Sequence, residues 1–362
     1  MNFDFLNLSD SHRYLISRVS PPRAKRVLLE PLDKGLSGAG VWLARWDLPR
    51  GLWTDFSVLK INNTKKIARE MRAFNEIVCQ LDNRVGHFVC KRSREHNLAI
   101  IRQPFRGRAD GTILSFRNKM LSLSSSDSPE NLIDSLYLDR MQNWHPTKAE
   151  RYVRSTSFEI ALDWWTRRYA LREDISKIGQ SAAEADIYRC FNMKFLDLER
   201  FIEALFRTKH IFPIGPVHGD LHAQNILVDS GSNIHLIDFG WTSKKWKAID
   251  FLMLECSIKF LVIPQSARQK DLLILEQLVE LDVGHLRLQE LSELLYGCLL
   301  YKTARAIRRL RELCLNFGYV TDMNHYRQGL VVLTSCLSGY PRLNRRFLLN
   351  SLCLHISKLQ LQ

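Results

Sequence analysis

Hydrophobic positions along the first hundred residues change period twice. Leu28 to Leu32 and Val41 to Trp46 read as strands, and Phe56 to Ile61 and Asn97 to Arg102 repeat the pattern. Between the last two, Ile67, Met71, Phe74, Val78 and Leu81 recur at three- and four-residue steps, which predicts a helix over Thr64 to Asp82 with one buried stripe. Gln103-Pro104-Phe105 predicts an abrupt exit from the sheet, since proline cannot donate to a ladder. The first 27 residues, ending near Pro21-Pro22, read as a short helical or irregular lead-in. Gly35-Leu36-Ser37-Gly38-Ala39-Gly40 joins the first two strands. A turn this rich in glycine can bring its backbone N–H groups against phosphates with no side chain in the way.

After residue 105 helical periodicity dominates. Ser128-Pro129-Glu130 reads as cap, first-turn proline and first-turn acid. Helical stretches follow around Phe158–Arg172 and Ala183–Thr208. Two short apolar runs, Ile226-Leu227-Val228 and Ile234-His235-Leu236, flank Asp229-Ser230-Gly231-Ser232-Asn233 and predict a β-hairpin. Residues 266 to 362 are helical throughout. There Leu300, Ala304, Ile307, Leu310 and Cys314 form a stripe, and Lys302, Arg305, Arg308, Arg309 and Arg311 are expected on the outer faces.

With 46% apolar and 25% charged residues the 362-residue chain is globular, and its length suits two lobes. No run reaches the ~20 apolar residues of a membrane helix, and Met1-Asn2-Phe3-Asp4-Phe5 does not resemble a signal peptide. The eight scattered cysteines, with no C-x-x-C, suit free thiols in a cytoplasmic setting. The net charge of +14 is concentrated at residues 300–350, with nine Lys/Arg against two Asp/Glu. Such a region could take an acidic partner. No nucleic-acid-binding motif accompanies the charge, so nucleic acid is not the expected ligand.

The most informative stretch is His218-Gly219-Asp220-Leu221-His222-Ala223-Gln224-Asn225, followed by Ile237-Asp238-Phe239-Gly240. Asp220 and Asn225 stand in the spacing D-x-x-x-x-N, and Asp238 follows the hairpin. Phosphoryl transfer needs a hydroxyl oriented, phosphates held and charge neutralised by Mg²⁺, and hard oxygen ligands serve that ion. These motifs resemble the protein-kinase-like phosphotransferases, in the aminoglycoside phosphotransferase and choline kinase branch.

The resemblance implies an α+β, two-lobed kinase-like fold. A small N-terminal lobe (1–103) would hold an antiparallel sheet and one helix. A larger, mainly helical lobe (104–362) would carry a helical insertion at about 106–215. By the same resemblance Asp220 is the catalytic base, and Asn225 and Asp238 are metal ligands. Lys60 contacts nucleotide phosphates, paired with Glu70 or alternatively Glu76. The turn with Gly35, Ser37, Gly38 and Gly40 covers the phosphates, and the backbone at Gln103 meets the adenine. His218 would brace the catalytic loop, and Asp250 would support it from the next helix. The implied activity is ATP- and Mg²⁺-dependent transfer of a γ-phosphoryl group to a hydroxyl of a small molecule. A non-catalytic nucleotide-binding module of a signalling or defence system, or a protein kinase, are the alternatives. The short segment between Asp238 and Asp250 and the helical insertion favour a small acceptor.

Overall fold

The computed structural model describes residues 2–4, 8–32, 39–81, 85–93, 96–105, 112–124, 127–145, 152–162, 195–264, 266–280, 296–338, 343 and 345–360. Gly35, Ser37 and Gly38 lie outside them. The chain divides into two compact units, residues 1–116 with 224–243, and residues 117–223 with 244–362.

The first unit is built on a sheet of β1 (Asn2–Asp4), β2 (Arg26–Pro31), β3 (Gly40–Leu48), β4 (Leu52–Trp53), β5 (Ser57–Asn63), β6 (Val89–Arg92) and β7 (Leu98–Pro104). The order is β1-β2-β3-β5-β7-β6, with β4 on β3, and every pairing but β1 with β2 is antiparallel. The lead-in is more regular than expected. Ser9 caps a helix, Asp10–Val19, by accepting from the His12 N–H, and its Leu15, Ile16 and Val19 pack with Trp42, Trp46, Leu59 and Ile61 on one sheet face. The opposite face buries Leu43 and Val58 with Phe105, Leu227 and Ile237.

Two sequence expectations are corrected here. The helix after β5 is regular only over Thr64–Ala73, followed by a π-turn, Phe74–Val78, and a last turn, Cys79–Leu81. The sheet also does not end before Gln103. β7 continues through Pro104, opposite Ser57. β6 pairs with β7 only as far as Arg102, so Pro104 sits where that side needs no N–H. The predicted hairpin is present as β11 (Ile226–Val228) and β12 (Ile234–Leu236), with β8 (Leu114–Ser115) on its other side. Asp229 closes its loop by accepting from the Asn233 backbone N–H at 2.8 Å.

The second unit pairs helices with a three-stranded sheet, β13 (Ser243–Trp246), β10 (Lys209–Val217) and β9 (Tyr152–Ser157), in that order. The helical reading did not anticipate β9 and β10. Pro213, Gly215 and Pro216 hide the strand signal in β10. The C-terminal helices Gln269–Glu280, Gly297–Asn316, Met323–Leu337 and Arg345–Gln360 agree with the periodicity. Leu300, Ala304, Ile307, Leu310 and Cys314 are buried as expected, but so are Lys302 and Arg311.

Arg311 enters a buried ion cluster. Its guanidinium donates to Glu255 at 2.6 Å and Glu280 at 2.8 Å, while Lys259 meets Glu255 at 2.7 Å and Glu276 at 2.8 Å. Arg327 and Lys358 add to Glu280 at 2.6 and 3.3 Å. Burial disfavours the charged carboxylates, yet Arg311 and Lys259 hold Glu255 down at about 2, and Arg311, Lys358 and Arg327 do the same for Glu280. Carboxyls depressed in the folded state stabilise it above their usual value of 4.5 and lose that effect as pH falls toward 2. Arg311→Met should therefore cost about 3–5 kcal/mol near neutral pH, by leaving Glu255 buried and underpaired. It should also flatten the acid limb of the stability profile. Urea unfolding of both proteins across this pH range checks both outcomes.

Candidate active site

Lys60 is placed by strand alternation. In β5, Leu59 and Ile61 face the Asp10–Val19 helix, so Val58 and Lys60 face the other side, where the hairpin residues Leu227 and Ile237 pack. The chain turns from β5 into the next helix with no loop, because the Asn63 side chain accepts from the Lys66 N–H at 2.9 Å. Ile67, Glu70 and Ala73 then form the buried face of that helix. The short interval from Lys60 to Glu70 is thus a direct strand-to-helix turn, and Lys60 Nζ reaches Glu70 Oε2 at 2.8 Å. Glu76 is exposed.

Lys60 also meets Asp238 Oδ1 at 2.5 Å. Burial opposes its charge, but Glu70 and Asp238 hold the ammonium above the usual lysine range. Two carboxylates thus share one cation. Burial first and Asp238 second push the Glu70 carboxyl up, against the pull of Lys60. Asp238 adopts a left-handed backbone, φ 64°, which costs a non-glycine residue about 1–3 kcal/mol unless its surroundings enforce it.

Neighbouring side chains enclose the turn. The Arg69 guanidinium lies 3.6 Å over the Trp241 ring. A Cβ placed on Gly240 would be 3.4 Å from Asp238 Oδ1 and 3.6 Å from Arg69 Nη2, so the turn passes beneath the arginine. Phe88 stacks on Phe74 at 3.9 Å and touches Phe239 at 6.2 Å. Asn225 is fixed by the hairpin ladder, where its carbonyl accepts from Ile237 N–H at 3.1 Å. Asn225 and Asp238 therefore sit at the same end of the β11–β12 hairpin. An amide oxygen and a carboxylate are the hard ligands that fit a magnesium-like cation. Among the described residues no cluster of three His, Cys, Asp or Glu side chains could hold a metal. Gln103 uses its side chain to donate to the Leu236 carbonyl at 2.7 Å, which fastens β7 to the hairpin. Gly40 opens β3, and its neighbour Trp42 leaves no room for a Cβ there.

The second unit holds the Asp220 loop. Asp250, buried near the start of helix Ile249–Ser257, accepts from the His218 N–H and the Gly219 N–H, both at 2.8 Å. Ser257, two turns along the same helix, accepts from Ala223 N–H at 2.6 Å. Burial pushes the Asp250 carboxyl up, while His218 and those two N–H groups pull it down. Gly219 has φ 80°, a conformation that a side chain would strain. Asp220 follows it, half-buried, with its carbonyl accepting from His222 N–H at 2.9 Å.

The fold that carries these residues is α+β, as expected. The family model of ternary complex associated domain 9 matches residues 115–315. The chain belongs to the ternary complex associated domain 9 family. This family member is similar to solved phosphotransferase structures. One is a thermostable aminoglycoside phosphotransferase mutant in ternary complex with ADP and hygromycin B (11% identity, 97% of this chain and 99% of that chain, TM-score 0.49). Another is an aminoglycoside phosphotransferase from Alicyclobacillus acidocaldarius (13% identity, 97% and 96%, TM-score 0.40). A third is an ethanolamine kinase from Plasmodium vivax (13% identity, 91% and 81%, TM-score 0.36). No curated protein matches the chain.

Sequence reasoning missed Arg69, Trp241 and Ser257 in this family member. Arg69 and Trp241 adjoin Glu70 and the D-F-G motif, and Ser257 lies seven residues after Asp250 on one helix face, so proximity was the available signal. Asp250→Ala should strand two buried N–H groups and destabilise by about 2–5 kcal/mol, whereas Asp250→Asn, which keeps one acceptor, should cost less. Denaturant titration separates the two. Trp241→Ala should cost about 1 kcal/mol through loss of the cation–π stack, and Trp241→Phe should retain most of it, as read by thermal unfolding.

Proposed function

We infer that the chain is an ATP- and Mg²⁺-dependent phosphotransferase acting on a hydroxyl of a small molecule. The observation that carries this reading is the buried Lys60 held between Glu70 and Asp238, with the Asp238 side chain still partly exposed. An ammonium held in place by two carboxylates, one of them open to solvent, suits a site that receives a polyphosphate and its cation. Lys60 binds the nucleotide phosphates, and Glu70 keeps its ammonium in place. Asn225 and Asp238 would hold Mg²⁺, which neutralises charge on the phosphates when bound. Asp220 accepts the proton of the acceptor hydroxyl. The hydroxyl oxygen forms its bond to the γ-phosphorus as the bond to the β-phosphate oxygen breaks, and ADP leaves.

The acceptor is a neutral or anionic metabolite in this reading. The net charge of +14 does not suit a polycationic aminoglycoside. A second reading has one support, the family description as a domain associated with ternary complexes. The same cluster would then bind nucleotide within a larger assembly of a signalling or defence system, without transferring phosphate.

Asp220→Asn and Lys60→Met separate the readings. For a phosphotransferase, Asp220→Asn should lower turnover at least about a hundredfold and leave the affinity for a non-hydrolysable Mg²⁺–ATP analogue nearly unchanged in calorimetry. Lys60→Met should weaken that affinity. Nucleotide binding with no phosphoryl transfer by the unaltered protein across a broad panel of hydroxyl acceptors would favour the assembly reading. Absence of both binding and transfer rules out both.

A further inference from the structure

The outward side of the β9–β10 ribbon has the wrong composition for a surface that meets only water. Pairing in register sets Ile211 opposite Ser155 and Pro213 opposite Val153, so these four residues share one face. The reverse face is core: Phe212 packs edge-on against Phe158 and Trp246, at 5.1 and 4.9 Å between centroids. An antiparallel ribbon with one buried face normally presents polar side chains on the other. Here Val153 is 54% and Ile211 60% exposed. Tyr152, at 65%, is exposed on the alternate face at the start of β9, and Ile160, at 54%, in the turn of helix that follows the strand. Four of the nine large apolar side chains exposed among the described residues therefore belong to β9, its partner β10 or the turn of helix that follows β9.

β9 is also an edge. It pairs with β10 on one side, and among the described residues no strand pairs with the other. Four consecutive residues, Tyr152 to Ser155, are exposed, so the edge is open as well as the face. Unprotected edges template further strands, and proteins usually blunt them with inward charges, bulges or proline. β9 itself contains neither proline nor glycine.

The charge of the sheet selects the occupant. β9, β10 and β13 together carry Arg154, Lys209, Lys244 and Lys245 and no Asp or Glu. A second copy pairing β9 to β9 would bring two such basic sheets together, which opposes self-association. We propose that β9 is a docking edge for an extended acidic segment of a partner protein, which adds as a strand. Its apolar side chains cover Val153 and Ile211, and its carboxylates, on the alternate face, meet Arg154. Main-chain hydrogen bonds would give such an addition its affinity, and the alternating side chains its selectivity.

Three dye-labelled, end-capped peptides alternating valine with glutamate, lysine or serine, titrated into the full chain by fluorescence anisotropy, test this. The glutamate peptide should bind at least about tenfold more tightly than the other two and weaken with added salt. Its binding should be lost in Ile211→Asp and in Arg154→Glu, surface changes that leave the melting temperature near that of the unaltered protein. Hydrogen exchange should slow at the Tyr152–Ser157 amides when the peptide is present. Equal binding of the three peptides, or none by the glutamate peptide, overturns the proposal. So does a concentration-dependent dimer in sedimentation that protects the same amides, which would assign the edge to a second copy.

Discussion

A buried lysine shared by two carboxylates governs the architecture of the first unit. An ammonium taken out of water is tolerated only with partners in good geometry. Lys60 obtains them from two places distant in sequence, and each imposes a condition. Glu70 must lie on the inner face of a helix that starts at once after β5, which requires Asn63 as a cap. Asp238 must leave the β11–β12 hairpin in a left-handed conformation, which requires Phe239, Gly240 and Trp241 to be gripped by Phe88 and Arg69. The hairpin itself is tied to the sheet through Gln103 and the Leu236 carbonyl. Most of the unit's unusual features follow from these conditions.

The second unit buries charge on a larger scale and to a different end. Around Glu255, Glu276 and Glu280 stand Lys259, Arg311, Arg327 and Lys358, so four cations meet three anions. Glu255, Lys259 and Arg311 are almost wholly buried. The cluster ties five helical segments together and is amply neutralised, as a structural device should be. The Lys60 cluster is smaller and leaves the Asp238 side chain 20% exposed. Burial and ion pairing occur in both. Access to solvent is what distinguishes the Lys60 cluster from the larger one.

Legibility in the sequence followed the range of the signal. β2, β3, β5 and β7 were visible because strand alternation is local, and the hairpin because Asp229 to Asn233 is turn chemistry. Asp250 as the brace of the Asp220 loop was visible through motif resemblance, and the geometry now gives the reason in two backbone N–H groups. Glu70 over Glu76 was not, because the choice depends on whether the chain loops or turns directly after Lys60. Arg311 was placed on an outer face because a single helix shows its own polarity but not the acids other helices bring to it. β10 was hidden by Pro213 and Pro216, residues that normally mark the end of a strand.

One recurrent local feature could not be read from periodicity at all. π-turns follow directly on helices Thr64–Ala73, Pro129–Asp134 and Ile249–Ser257, at Phe74–Val78, Ser135–Arg140 and Ile258–Val262. An inserted residue rotates everything downstream relative to the preceding face. In the first case Glu70 faces Lys60, while Phe74 and Val78 are still buried beyond it. In the third, Asp250 and Ser257 serve the Asp220 loop, while Lys259, one residue into the π-turn, reaches the ion cluster through Glu255 and Glu276. A single uninterrupted helix must satisfy the site and the core with one register. The π-turn shifts the register beyond Ala73 and beyond Ser257, so the residues that follow are released from the face set by Glu70 and Asp250.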